Sequence, residues 1–312
     1  MTEEFARPDI VRPPSEHASY YLPLTAGCSN SACSFCASFG SKLRIRGIAD
    51  VKKEIDTMDI FIRKGIQVSS VPAIVYAVLQ GWDGKKIFLQ DGDALVYPYP
   101  KLFEVLEYLN KKFPDIERIA SYATPQDILR RSIDELEVLK EHKIGILYMG
   151  VESGADEVLG KVHKGVNHNQ IVEAGCKVKE AGIILSVTVI LGLAGYEGSE
   201  KHVRETARIL TELDPDYAGA LTLTLVPGTP LYQKWKQGEF SVISPFDSLR
   251  ELKMIIERSN FTDCFFSSMH VSNYLSIRGT LPYDKERMLI DLEDVLVQKD
   301  HRLLRPEFLR GL

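Results

Sequence analysis

Short runs of apolar, β-branched and aromatic residues alternate along most of the chain with longer segments whose apolar positions recur every three or four residues. The short runs, at 19–24, 86–90, 118–123, 146–151, 185–191 and 217–226, read as strands. The longer ones, at 50–64, 72–80, 100–112, 132–142, 168–181 and 199–213, read as helices. Ser132 with Glu135 three residues on is a capping-box signal, and Ile133, Leu136 and either Leu139 or Lys140 then mark one face. Val203, Ala207 and Leu210 do the same for the helix at 199–213. A strand followed by a helix, repeated six times, predicts a parallel sheet with its helices outside. Right-handed crossovers would curl that sheet into an α/β fold of the partial (β/α)6, TIM-type barrel class. In such a fold the loops after each strand carry the chemistry.

The pattern breaks after residue 226. Pro227-Gly-Thr-Pro230 reads as a turn, and two further helical stretches follow at 246–258 and 284–298. The expected organisation is therefore a lead-in over 1–18, a barrel over 19–240, and a mainly helical C-terminal extension over 241–312 that closes it. A length of 312 residues and 45% apolar composition are ample for a large core. The net charge of −5 argues against a surface that tracks nucleic-acid phosphates. No signal-peptide pattern and no membrane-length apolar run are present, so a soluble cytoplasmic protein is expected.

Three of the five cysteines, Cys28, Cys33 and Cys36, crowd into one C-x4-C-x2-C stretch after the first strand. An odd total with three together does not resemble a disulfide framework. Thiolates suit iron–sulfur clusters, and closely spaced ones converge without long-range ordering. A plant-type two-iron ferredoxin site shares this spacing but needs a fourth cysteine, and none lies between Cys36 and Cys176. A structural zinc site, with His17 or a distant histidine as fourth ligand, is a second alternative, although it ordinarily uses paired C-x2-C knuckles. Three unrelated buried cysteines is the third. The remaining two, Cys176 in a helical pattern and Cys264, cannot build a second cluster.

The stretch Gly27-Cys28-Ser-Asn-Ser-Ala-Cys33-Ser-Phe-Cys36, then Phe88-Leu-Gln-Asp-Gly-Asp-Ala-Leu95, then Gly150-Val-Glu-Ser-Gly-Ala-Asp-Glu-Val-Leu159 resembles the radical S-adenosylmethionine (SAM) superfamily. The branch is the one shared by oxygen-independent coproporphyrinogen oxidases, methylthiotransferases and Elongator-type proteins. The likeness covers roughly residues 19–235, with C-x4-C in place of the usual C-x3-C. It implies a [4Fe–4S] cluster on Cys28, Cys33 and Cys36, whose fourth iron is chelated by SAM. It also implies reductive cleavage of SAM to methionine and a 5′-deoxyadenosyl radical. Phe35 falls at the aromatic position beside the cluster or adenine. Asp91-Gly92-Asp93 stands where relatives bind the methionine ammonium, with the choice between the two carboxylates open and a solvated turn as the plain alternative. Glu152 is implied at the ribose or amino group and Lys164 at the SAM carboxylate; an exposed helix-terminal lysine is the alternative. Gly192 and Leu193, in Gly-Leu-Ala-Gly195, resemble the turn at the adenine edge. Leu225-Val-Pro-Gly-Thr-Pro-Leu-Tyr232 matches the end of the sixth strand.

Arg44, Arg46, His270, Asn273, Tyr274 and Arg278 are candidate contacts to substrate or, for the arginines, to SAM; structural roles are equally open. The resemblance implies a small organic substrate and a flavodoxin- or ferredoxin-type reductant. Radical modification of tRNA or a protein is the alternative reading, and a non-catalytic electron carrier or redox sensor is a further one.

Overall fold

The computed structural model describes residues 5–10, 12–69 and 71–311. The remainder of the expected lead-in, residues 1–4 and 11, lies outside the described residues, as does residue 312. By its contacts the chain forms two compact units. The first is Met1–Ser31, Gly40–Tyr148 and Lys177–Ile184; the second is Ala32–Phe39, Met149–Cys176 and Leu185–Leu312. The boundary expected near residue 240 falls inside the second unit.

In the first unit, β1 (Tyr20–Pro23), β2 (Lys86–Gln90), β3 (Arg118–Tyr122) and the first part of β4 (Ile144–Glu152) lie side by side in that order. All three pairings are parallel, with Tyr20 opposite Ile87, Ile87 opposite Ile119, and Tyr122 opposite Tyr148. The near-continuous apolar runs are what a sheet covered on both faces requires. One face carries Phe88, Ala120, Ile146 and Tyr148, with Tyr122 packed against them. The crossovers are α1 (Ile48–Lys64), α2 (Ala73–Gln80), α3 (Tyr99–Lys112), α4 (Pro125–Leu129) and α5 (Ile133–Glu141). The capping box at α5 forms as the sequence predicts: the Glu135 amide donates to Ser132 Oγ at 3.0 Å, and the Ser132 amide to Glu135 Oε2 at 3.1 Å. Leu136 and Leu139 are the buried positions, while Lys140 is exposed.

In the second unit the sheet runs from the end of β4 through β5 (Ile184–Leu191), β6 (Tyr217–Thr222), β7 (Cys264–Ser267) and β8 (Arg278–Leu281). β5, β6 and β7 are parallel, and β8 is antiparallel to β7. Those last two strands lie within the stretch expected to be an extension and add to the predicted six. The helices are α6 (Asp156–Lys161), α7 (His168–Glu180), whose last turn belongs to the first unit, α8 (Gly195–Leu213), α9 (Pro230–Lys236), α10 (Pro245–Arg258) and α11 (Lys285–Gln298). α8 buries Val203, Ala207 and Leu210, the face read from the sequence. α4 and α9 were not anticipated. Each starts on Thr-Pro, the threonine capping and the proline at the first helical position.

Candidate active site

Cys28, Cys33 and Cys36 are in no disulfide; Cys33 is buried and the other two are partly so. Cys28 belongs to the first unit. Gly27 before it has φ +80°, and a Cβ there would lie 2.9 Å from the Lys42 carbonyl. A Cβ on Gly92 would lie 3.2 Å from Cys28 Cβ and from the Gly27 carbonyl, so only glycine lets the end of β2 approach the cysteine this closely. The Gly27 amide donates to Asp91 Oδ2 at 3.1 Å.

Asp91 and Asp93 have separate roles. Asp93 is fully buried; its Oδ1 accepts the Leu95 amide and its Oδ2 the Thr124 amide, both at 2.7 Å. Desolvation, then the charge of Asp127, push its carboxyl well above the ordinary range. Desolvation also acts on Asp127, but hydrogen bonds from Ser29, Asp93 and Thr124 and the Arg130 charge more than offset it and hold that group low. Asp93 therefore ties the end of β2 to the start of α4. Asp91 is half-buried, and desolvation raises its carboxyl against the stabilising amides of Gly27 and Gly92. It is the less buried member of the pair.

Cys33 and Cys36 belong to the second unit, where the cysteine loop is held by main-chain bonds. The Ser34 amide donates to the Val162 carbonyl at 2.9 Å, and the Ser34 carbonyl accepts from the Leu231 amide at 2.9 Å. The Cys33 thiol lies 3.9 Å from the His163 carbonyl, and Cys36 Sγ accepts the Ser38 amide at 3.4 Å. Phe35 packs on an apolar cluster of Ala155, Val158, Val162, Leu193, Leu223 and Leu231. Sequence reading had placed Leu231 only at the end of a strand motif; its contact with the cysteine loop was missed. Among the described residues no three His, Cys, Asp or Glu side chains are gathered as a ready metal-ligand group.

Glu152 ends β4 with φ +63°, an uncommon backbone for a residue other than glycine. Its Oε1 accepts Lys164 Nζ at 2.8 Å, both side chains being largely buried. The expected exposed-lysine alternative thus gives way to a buried ion pair. Gly150 makes room for it: a Cβ there would fall 2.1 Å from Glu152 Oε1 and 2.9 Å from Lys164 Nζ. The next residues dock on α8. Ser153 Oγ lies 2.8 Å from His202 Nδ1, and a Cβ on Gly154 would fall 2.0 Å from the Glu205 carbonyl. Burial holds His202 down to about 4, against the Ile190 carbonyl bond that favours its charged form. Gly192, with φ +79°, opens the turn after β5, and its amide donates to Glu251 Oε2 on α10 at 2.7 Å. No motif pointed to His202 or Glu251.

Arg46 pairs with the fully buried Glu54 at 2.7 Å and donates to the Pro23 and Asp50 carbonyls, which accounts for it without an anionic ligand. Arg44 sits in a two-residue antiparallel pairing, opposite Ala26. Asn273 is buried; Nδ2 donates to the carbonyls of Ala220 and Ser268, and Oδ1 accepts Thr222 Oγ1 at 2.9 Å, so it closes the end of β6. Tyr274 donates to Glu307 at 2.7 Å, with the Arg310 guanidinium 4.0 Å from its ring centre. For these two the bonds match the structural alternative. His270 is half-buried against Ser272, and burial followed by the Arg305 charge lowers its basicity. Arg278 is exposed at the start of β8. Cys176 is exposed on α7, and burial pushes the Cys264 thiol up to about 12.

A mostly parallel α/β sheet, with a three-thiol loop after its first strand and glycine- and carboxylate-bearing loops after the second, fourth and fifth, defines a class of metallo-cofactor enzymes. The profile of the radical SAM superfamily matches residues 22–210, and the chain belongs to that superfamily. It is similar to a protein of Methanocaldococcus jannaschii described as a candidate methylthiotransferase, at 28% identity over 186 residues, 59% of this chain and 37% of that one. It is 24% identical over 210 residues to the heme chaperone HemW of Bacillus subtilis, covering 62% of this chain and 54% of that one. The chain thus spans about half or less of the curated relatives it matches. Its fold is similar to that of the radical SAM enzyme coproporphyrinogen III oxidase, HemN, of Escherichia coli, with TM-score 0.53 and 17% identity over 77% of this chain and 51% of that one. The fold is therefore the partial-barrel class expected from the strand–helix alternation, and these relatives are of the branch the motifs indicated. The cofactors of this enzyme family are a [4Fe–4S] cluster and SAM. Cysteine thiolates are the donor set such a cluster takes, and the loop supplies three cysteines outside any disulfide. Among the described residues no helix is long and apolar enough to cross a membrane.

Proposed function

We propose that Cys28, Cys33 and Cys36 hold the cluster and that the enzyme abstracts hydrogen from a small organic substrate, within a catalytic region over 19–240 extended by 241–312. When bound, the cluster and SAM supply one-electron cleavage of the sulfonium, giving methionine and a 5′-deoxyadenosyl radical. The residues of this chain bind, orient and shield. Asp91 takes the methionine ammonium, with Gly92 allowing close backbone approach and Asp93 fixing the turn from below. Lys164 takes the SAM carboxylate and Glu152 the ribose or amino group, a matched pair of charges for a zwitterion. Phe35 and Leu193 share the apolar cluster that supports the adenine, with Gly192 at its edge. His270, Arg278 and Arg44 remain the candidate substrate contacts, and a flavodoxin- or ferredoxin-type protein supplies the electron.

The observation that carries this reading is the C-x4-C-x2-C loop, its three cysteines outside any disulfide, with Gly92 packed on the first of them. Anaerobic reconstitution is expected to give iron and sulfide near four each per chain, then dithionite-dependent 5′-deoxyadenosine from SAM. Changing any of the three cysteines to serine is expected to abolish both. A loaded cluster that never cleaves SAM, or zinc bound in its place, would overturn the reading. A likeness to the tRNA-2-methylthio-N(6)-dimethylallyladenosine synthase of Symbiobacterium thermophilum, 24% identical over 133 residues, favours a second reading, radical modification of tRNA, despite the net charge of −5. Salt-sensitive retention of tRNA in a filter-binding assay decides for it, and none decides against it.

A further inference from the structure

Glu251 is 1% exposed on α10, and its carboxyl bridges the β5–α8 turn and the second turn of α8. Oε2 accepts the Gly192 amide at 2.7 Å, and Oε1 accepts the Ser199 hydroxyl at 2.5 Å. The turn it grips is confined from the other side as well. A Cβ on Gly192 would lie 3.0 Å from Ile243, and one on Gly195 would lie 3.0 Å from Phe240 and from the Ser241 carbonyl. The Tyr196 amide donates to that same carbonyl at 3.2 Å. Both glycines have positive φ, so the turn has little intrinsic preference for its shape and must be fixed by its neighbours. Backbone groups that recognise a ligand have to be held to about 0.5 Å. We propose that Glu251 is a positioning residue for the adenosine end of SAM, acting through the Gly192 amide and touching no part of the cofactor. This rests on the assignment of Gly192 and Leu193 to SAM made above. Burial, with the charge of Asp247 adding to it, raises the Glu251 acid to about 7, against the Ser199 and Gly192 bonds. An isosteric neutral group in its place therefore has a defined expectation.

The test compares E251L, E251Q and G192A with the parent chain. It measures amide hydrogen exchange over residues 190–196, with and without the cluster, and the dissociation constant for S-adenosylhomocysteine on the cluster-loaded enzyme. E251L is expected to lose protection in the turn and to weaken binding about tenfold, the scale of one buried hydrogen bond. KM for SAM should rise by a like factor while kcat is nearly unchanged. E251Q, whose carboxamide oxygen still accepts the Gly192 amide, is expected to restore both protection and binding. Where E251L does not fold, E251D, which withdraws the carboxyl by one methylene, is expected to give the same changes in milder form. Unaltered protection in the turn overturns the inference. So does unaltered affinity in E251L or E251D when G192A weakens binding. Unaltered affinity in G192A as well removes the assignment of the turn to SAM itself.

Discussion

Lys164 and Glu152 neutralise each other in a space opened by Gly150, and this pairing decides what their substitution does. Removing one partner leaves a buried charge uncompensated, so K164M is expected to destabilise by about 3 kcal/mol. The double variant K164M/E152Q should recover most of that loss in urea unfolding while still failing to bind SAM, which separates the structural from the ligand-binding contribution. His202 sets a pH limit. Its folded value near 4 lies below the unfolded value near 6.5, so above about 6.5 it contributes no penalty. As pH falls from about 6.5 to 4 the unfolded chain takes up a proton the folded one refuses, and up to about 3 kcal/mol of stability is lost. H202N should flatten that slope when urea midpoints are compared at about pH 5 and pH 7.5. Motif residues such as Cys28, Asp91 and Glu152 were legible because their spacing and types carry chemistry. Asp93 was read as a possible ligand group, and only its two amide bonds reveal it as a brace. Glu251 and His202 were invisible, since a single acid or imidazole on an amphipathic helix carries no signal of the distant turn it reaches.

Among the elements, the six main strands were readable because each is an apolar run set off between helical segments, and the long helices because each holds enough residues to show a period. Helices of five to seven residues, such as α4 and α9, cannot show one, although their Thr-Pro openings could have been taken as starts. β7 and β8, no shorter than β1, were hidden because they lie inside a stretch dominated by two long helices. β6 stops at Thr222, short of the expected 226, where Asn273 and Ser272 take over the bonding of its last residue. Two substitutions separate local from tertiary support. S132A removes the capping box of α5, which uses none of the motif residues, and is expected to cost about 1 kcal/mol with SAM cleavage intact. G154A drives a methyl group into the backbone of α8 at Glu205, where no rotamer can relieve it. Loss of several kcal/mol is expected, visible as poor soluble yield or a low melting temperature.

For the whole molecule, superfamily membership fixes the cofactors, while the share of its relatives that the chain spans leaves substrate and partner to experiment. A group that binds only the folded chain stabilises it by mass action. Anaerobic cluster loading is therefore expected to raise the melting temperature by several degrees, and chelation to reverse this. A melting temperature indifferent to iron would mean that the thiols bind nothing specific. The grip on Ser34 carries one more implication. Because Val162 and Leu231 hold its amide and carbonyl and the residue itself is buried, a mutational library should keep only small side chains at this position and reject proline, which lacks the donor. A cysteine signature would then carry a small residue here because a peptide unit pinned at both ends has no freedom to make room for a larger one.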